Sequence, residues 1–322
     1  MIRDSLLFAL LTALAMLAAP GWAQQPKVPV VGMPVSHAPA NDPNFDPLRA
    51  GLREYGYEDG RNLRLEIVTA KGQLDQLPGL AQDLVRQNVD VIIAPHEVST
   101  HAAMKATTTI PIVMAGFGYD PVVLGLVDSF RRPGGNITGL YTLAPDLDAK
   151  RLEILKEAVP SASQVAVFWD PNFSQSALAE VQHAAQSLGI RVESVELRSG
   201  QDLEPAFKTA KRRNASAVML LQSPIFYVHG ARVASLALNA RLPTAAAYEY
   251  RAGALIAYGI DSSDNWKRTA YYVDRLLKGA KPSDLPIEQV SKFKLVVNLK
   301  TAKALGIAIP ESILLRADEV IR

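Results

Sequence analysis

The chain has 322 residues, 48% of them hydrophobic, a formal net charge of +2 and no cysteine. Without cysteine there are neither disulfides nor thiolate chemistry, so stability must come from packing. A charge this close to balance gives no electrostatic ground for nucleic-acid binding, and Lys211-Arg212-Arg213 reads as the solvated end of a helix.

In chain order, the first segment reads as an export signal. Arg3 precedes an apolar run from Leu6 to Leu17, and Gly21-Trp22-Ala23 puts small residues one and three positions before a cut at Gln24. The run is about a dozen residues, short of the ~20 that span a bilayer. Residues 1–23 are therefore expected to be a cleaved signal peptide and the mature protein periplasmic. No cysteine follows the apolar core, which excludes a lipid-modified anchor.

Val28 to Met33 is an apolar β-rich run, followed by Phe45, Leu48, Leu52 and Tyr55 at helical spacing. Leu63, Leu65 and Ile67 alternate as in a strand, and Leu74 to Val85 forms the next helical stripe. "DVIIAP" and "IPIVMA" are buried strands around a short helix, and Pro121 to Phe130 is expected to be helical, ending in "RRPGGN". The rhythm restarts at the Lys150 to Val159 helix. "QVAVFWD", "RVESVEL" and "SAVMLL" are strands separated by helices over 174–188 and 203–213, and a helix over 228–240 follows. Such alternation implies parallel sheets covered by helices, and two series of ~110 residues fit two αβα lobes better than one sheet. "GALIAYGID", a helix over 266–277, "FKLVVNL" and "TAKALGIAIP" are too few for a third core, so they return to complete both lobes through a hinge of several crossings. The expected division is 24–142 plus about 256–286 for the first lobe, and 143–255 plus about 287–322 for the second, figures that rest on this pattern alone.

Catalytic and cofactor templates fit poorly. Gly116-Phe117-Gly118 has Pro121 where a dinucleotide loop needs its third glycine, and it follows the fourth strand rather than the first. Phosphate-loop and nucleophile-elbow motifs are absent. His96 and His101 are five apart and form no helical metal pair; His96-Glu97 could be half of a metal site or an acid-base pair, but reads first as a polar loop. Asp120-Pro121 is first of all a helix start with Asp as cap. No cofactor, metal or catalytic residue is expected. The loops 33–37, 95–99, 116–120, 169–172 and 222–224 instead share one position, after the carboxyl ends of parallel strands, where open α/β sheets bind ligands.

"GLREYGYEDGRNLRLE", "LPGLAQDLVRQNVDVIIA", "TTTIPIVMAGFGYDPVVLGLVDSFRRPGGNITGL", "KRLEILKEAVP" and "LLKGAKPSDLPIEQVSKFKLVVNLKTAKALGIAIPESILLRADEVI" together carry a resemblance over almost the whole mature chain. It resembles the ABC-transporter substrate-binding proteins of the tryptophan/tyrosine-binding type, with a type I periplasmic-binding-protein fold. The resemblance implies a monomeric receptor, without catalysis, that captures an amino acid or small carboxylate-bearing compound and presents it to the membrane permease of an ABC importer. A sensor partner of a membrane signalling protein is the alternative use of the same fold, and an exported enzyme a more distant one. Carried over position by position, it places Ser36 and His37, then Glu97, Val98 and Ser99, then Gly118 and Asp120 in the cleft from one lobe. From the other it places Asn172, Ser223, Phe226, Tyr248 and Glu249, and from the returning strand Asp261. One departure matters: Pro95-His96-Glu97-Val98-Ser99 stands where relatives have small residues, which points to a smaller ligand or one with positive charge for Glu97.

Overall fold

The apolar runs of the first half become strands β1 (Val30–Val35), β2 (Arg64–Thr69), β3 (Val91–Ala94), β4 (Ile112–Phe117) and β5 (Ile137–Tyr141). Those of the second half become β6 (Gln164–Trp169), β7 (Arg191–Glu196), β8 (Ala217–Leu220), β9 (Thr244–Ala246) and β10 (Ile256–Ile260); β11 (Glu288–Gln289), β12 (Phe293–Asn298) and β13 (Glu319–Ile321) follow. The structure is a computed structural model describing residues 27–118, 120–142, 144–247 and 253–322; the side chains of Phe117 and of residues 144–146 are not described.

Two sheets result, ordered β11-β5-β4-β3-β1-β2 and β13-β12-β10-β9-β8-β6-β7. Pairing in the first is parallel throughout. In the second, among the described residues, only β10 with β12 is antiparallel. Central strands β3 and β8 are buried along their whole length, as the unbroken apolar runs require when helices cover both faces. Helices α1 (Asp46–Glu54), α2 (Leu77–Arg86) and α3 (Glu97–Ala106) belong to the first lobe. Leu48 and Leu52 of α1, and Leu77, Ala81 and Leu84 of α2, turn inward at helical spacing. The second lobe carries α4 (Ala144–Ala158), α5 (Gln175–Ser187), α6 (Leu203–Arg212), α7 (Pro224–Val228) and α8 (Gly230–Ala240). The next helix, α9 (Ser262–Leu277), packs on α1 and β4 of the first lobe, whereas α10 (Leu299–Leu305) and α11 (Glu311–Arg316) pack on the second.

The returning third differs from the expected division. Strand Ile256–Ile260, placed with the first lobe by sequence, pairs with β9 and β12 in the second sheet. Glu288–Gln289, placed with the second, pairs with β5 in the first. Strand direction is the reason: β10 runs parallel to β9, only a short connection away in sequence, and α9 then crosses back to cover the first sheet. The chain thus passes between lobes from Tyr141 to Ala144, from Ile260 to Ser262 and from Gln289 to Phe293.

The segment from Pro121 to Phe130, expected as a helix, is a succession of turns. Asp120 caps the first turn and Leu126 N–H donates to the Pro121 carbonyl, but Asp128 N–H goes to Pro133 and ends any helical run. Just before it, β4 and β5 lose register between Ala115 and Phe117. Gly139 of β5 pairs with Met114 just before this irregularity at φ 120°, and a Cβ there would lie 2.2 Å from the Met114 carbonyl oxygen. Backbone cannot yield to a side chain as another side chain could. Gly139→Ala is therefore expected to cost at least about 2 kcal/mol of unfolding free energy, read from urea melts, because both strain and a clash are imposed.

Candidate functional site

Parallel strands deliver their loops to one edge, and the two sheets turn those edges toward each other. Between them lies a cavity of about 300 Å³. From the first lobe, Ser36 and His37 follow β1, His96, Glu97 and Val98 follow β3, and Gly116 and Gly118 close β4. From the second, Asn172 and Ser174 follow β6, and Gln222, Ser223 and Tyr227 follow β8.

The deepest charges on its wall are Asp148 and Arg151, one turn apart on α4 and 3% and 5% exposed. The guanidinium donates to Asp148 through one terminal nitrogen, and through Nε to the Tyr258 carbonyl at 2.6 Å. Asp148 thus offsets a buried cation that would otherwise be costly to desolvate. A wall that shows adjacent positive and negative groups can match a molecule carrying both signs.

An aromatic group lines another part of the wall. The His37 and His96 rings stack at 6.2 Å with 11° between planes, and Tyr227 meets His37 edge-on at 4.6 Å. Ser36 Oγ shares a hydrogen with His37 Nδ1 at 2.7 Å. Burial lowers the pKa of His37 to about 4, partly opposed by Asp42; burial and the neighbouring His37 lower His96 to about 4. Both are neutral at pH 7 and present ring faces rather than charge. Phe45 and Trp266, edge-to-face at 5.5 Å, also line the cavity.

Of the residues expected from sequence, Ser36, His37, Glu97, Val98, Gly118, Asn172 and Ser223 line the cavity. Four do not. Ser99 is fully buried inside the first lobe, on the inner face of α3. Phe226 packs in the core of the second lobe, with the neighbouring Tyr227 facing the cavity instead. Asp120 accepts from the Val122 and Val123 amides, and Asp261 accepts from those of Ser263 and Asp264 while pairing with Lys294 at 3.2 Å. Both carboxylates are helix or turn caps. Tyr248 and Glu249 lie outside the described residues. Ser223 also caps α7, and its hydroxyl donates to the buried Asp170 at 2.8 Å, so it shapes the wall as much as it offers a ligand group. Glu97 lies 3.6 Å from His101, with both side chains more than a third exposed, which makes it a poor counter-charge for a buried cation.

Sequence reasoning missed Asp148, Arg151, Tyr227 and Trp266. "KRLEILKEAVP" contains Arg151, and its signal was an arginine on the inward side of an otherwise apolar helix face (Leu152, Leu155). Among the described residues, no group of three or more His, Asp or Glu side chains is placed to hold a metal ion.

Two αβα lobes, crossed more than once by the chain and enclosing a small cavity at their strand ends, define a type I periplasmic-binding-protein fold. The comparisons carry this to a family. Residues 27–321 match the ABC transporter substrate binding protein family, and the chain belongs to it. It is 26% identical over 272 residues to a tyrosine-binding protein of Clostridioides difficile (strain R20291), covering 82% of this chain and 77% of that one. Among solved structures it is similar to a conserved domain protein from Vibrio cholerae, with 28% identity, a TM-score of 0.81 and coverage of 91% and 100%. It is also similar to an ABC domain from Streptococcus pneumonia in complex with L-Trp, with 24% identity, a TM-score of 0.79 and coverage of 91% and 99%. The chain is an extracytoplasmic substrate-binding protein of an ABC transporter; its family is one of binding proteins, not enzymes.

The lowered histidine pKa values set a pH dependence. The unfolded chain takes up protons on these residues from about pH 6.5, whereas the folded chain resists until about pH 4. More protons on the unfolded side means stability that is full above pH 6.5 and declines as pH falls toward 4. Urea midpoints measured across that window should fall less in His37→Asn/His96→Asn than in wild type; equal slopes would show that the rings do not carry the effect.

Proposed function

We propose that the chain captures one α-amino acid with an aromatic side chain and delivers it to the membrane permease of an ABC importer. The observation that carries this reading is the buried Asp148–Arg151 pair on the cavity wall. An amino acid holds its ammonium and carboxylate on one carbon, so it can lie against such a pair with each charge beside its opposite. Charge-assisted hydrogen bonds of this kind are roughly twice as strong as neutral ones. A cavity of about 300 Å³ suits one amino acid rather than a peptide or oligosaccharide, being at the small end of ligand sites.

The neutral rings of His37 and His96, with Tyr227, Phe45 and Trp266, supply faces and edges for an aromatic side chain. His96, which from sequence was an obstacle to a large ligand, stacks with His37 as part of the wall and carries no charge at neutral pH. The similarity to a tyrosine-binding protein supports the same class of ligand. Residues 1–23 serve in this reading as the removed export signal, and the mature chain works as a periplasmic monomer.

Calorimetric titration of the mature chain tests it. L-Tyrosine, L-tryptophan or L-phenylalanine should bind, whereas tyramine, which lacks the carboxylate, and 3-(4-hydroxyphenyl)propanoate, which lacks the ammonium, should each bind about 100-fold more weakly or worse. Arg151→Met should lose amino-acid binding by a similar factor. It should also lower the melting temperature, because the buried Asp148 loses its cationic partner. Tyramine binding as tightly as L-tyrosine would remove the zwitterion from the reading.

A further inference from the structure

Tyr227 belongs to α7 of the second lobe, yet its hydroxyl makes hydrogen bonds with the first. It donates to Asp42 Oδ2 at 2.7 Å and accepts from the Asn44 side-chain amide. The other Asp42 oxygen accepts the Asn44 backbone N–H at 2.8 Å and caps the short turn Pro43–Phe45. That bond orients the Asp42 carboxylate from within its own lobe, and Asp42 is 7% exposed with Tyr227 in place. Seen from the second lobe, α7 starts at the Ser223 cap, and Phe226 anchors it in the core while Tyr227 projects across the cleft. The His37 ring packs edge-on against Tyr227, joining the same wall to the cavity lining.

We propose that Tyr227 is the clasp of the closed cleft: a positioning residue that holds the captured ligand by tying the second lobe to Asp42 and Asn44 of the first. The proposal rests on the reading of the cavity as the ligand site. A hydrogen bond that exists only when the two walls meet stabilises the closed form alone. A ligand entering the open cleft does not encounter it, so its loss speeds opening and release and leaves encounter unchanged. Differences of this type fall on the dissociation rate.

Tyr227→Phe keeps the ring against His37 and removes only the hydroxyl. Stopped-flow binding of L-tyrosine, followed by the tryptophan fluorescence of the mature chain (Trp169 and the cavity-wall Trp266), should show dissociation about tenfold faster or more, the scale of a hydrogen bond to a carboxylate. Association should stay within about twofold of wild type. Asp42→Ala should act in the same direction, and the two changes together should be no worse than the larger alone, as for members of one interaction. Because the chain has no cysteine, spin labels can be placed cleanly at Arg61→Cys on the first lobe and Lys208→Cys on the second, both exposed sites. The closed-distance population of the ligand-free chain should then be smaller in Tyr227→Phe than in wild type. If wild type fails to bind L-tyrosine, the amino-acid reading falls, and the distance distribution still decides the clasp. Dissociation rates and distance distributions both indistinguishable from wild type would overturn it.

Discussion

Parallel strand pairing is the constraint on which the rest of this molecule depends. A strand that runs parallel to its neighbour needs a crossover to return; most crossovers here are helices, and that between β4 and β5 is the succession of turns after Asp120. Each βα unit therefore delivers its loop to the same edge of its sheet. Two such sheets set edge to edge collect loops from β1, β3, β4, β6 and β8 around one space. The buried strands need no polar side chains, so the chemistry of the cleft is carried by the few residues after each strand. The antiparallel pairing of β10 with β12 lies where the chain crosses between lobes. It turns the last third of the chain from a third domain into a hinge.

The electrostatics of the cleft follow from enclosure. Desolvation holds His37 and His96 neutral, so the aromatic part of the wall carries no charge at pH 7. The same enclosure makes Arg151 tolerable only because Asp148 and the Tyr258 carbonyl accept from it. One loss of solvent thus separates the cavity into an uncharged region of rings and a charged region of one ion pair. Glu97 escapes this logic because it sits where solvent still reaches, beside His101.

Strand-end logic made much of the cleft legible in the sequence. Ser36, His37, Glu97, Val98, Gly118, Asn172 and Ser223 all follow apolar runs, and a loop after a parallel strand has little choice of where to lie. Helix-borne residues were harder. Phe226 and Tyr227 differ by one position, hence by about 100° around the helix axis, and either aromatic could have faced inward. The structure gives Phe226 to the core because it has no polar atom to satisfy, and Tyr227 to the cleft because its hydroxyl finds Asp42. Asp148 and Arg151 lie on a helix that follows an interlobe crossing, so strand-end reasoning never reaches them. Asp120 and Asp261 sit at strand ends, but unpaired backbone N–H groups of the next turn or helix claim their oxygens first. The misplacement of β10 and β11 has a related cause: hydrophobic period identifies a strand but does not say which of two similar sheets it joins.

Closure gives these features a common energetic logic. In the proposed closure, bringing the lobes together would remove water from the Asp148–Arg151 pair and from the histidine rings at the same moment. A ligand that is charged at one end only would replace water on one partner of the pair and leave the other with a weaker neighbour. A purely apolar ligand would replace it on neither. A zwitterion with an aromatic side chain, the ligand proposed above, supplies compensation in both regions, and unmatched buried groups are where discrimination is greatest. Selectivity then does not require a tight mould around every atom. It requires a cleft that closes fully only when both its charged and its uncharged halves are satisfied, and contacts across the walls that reward full closure.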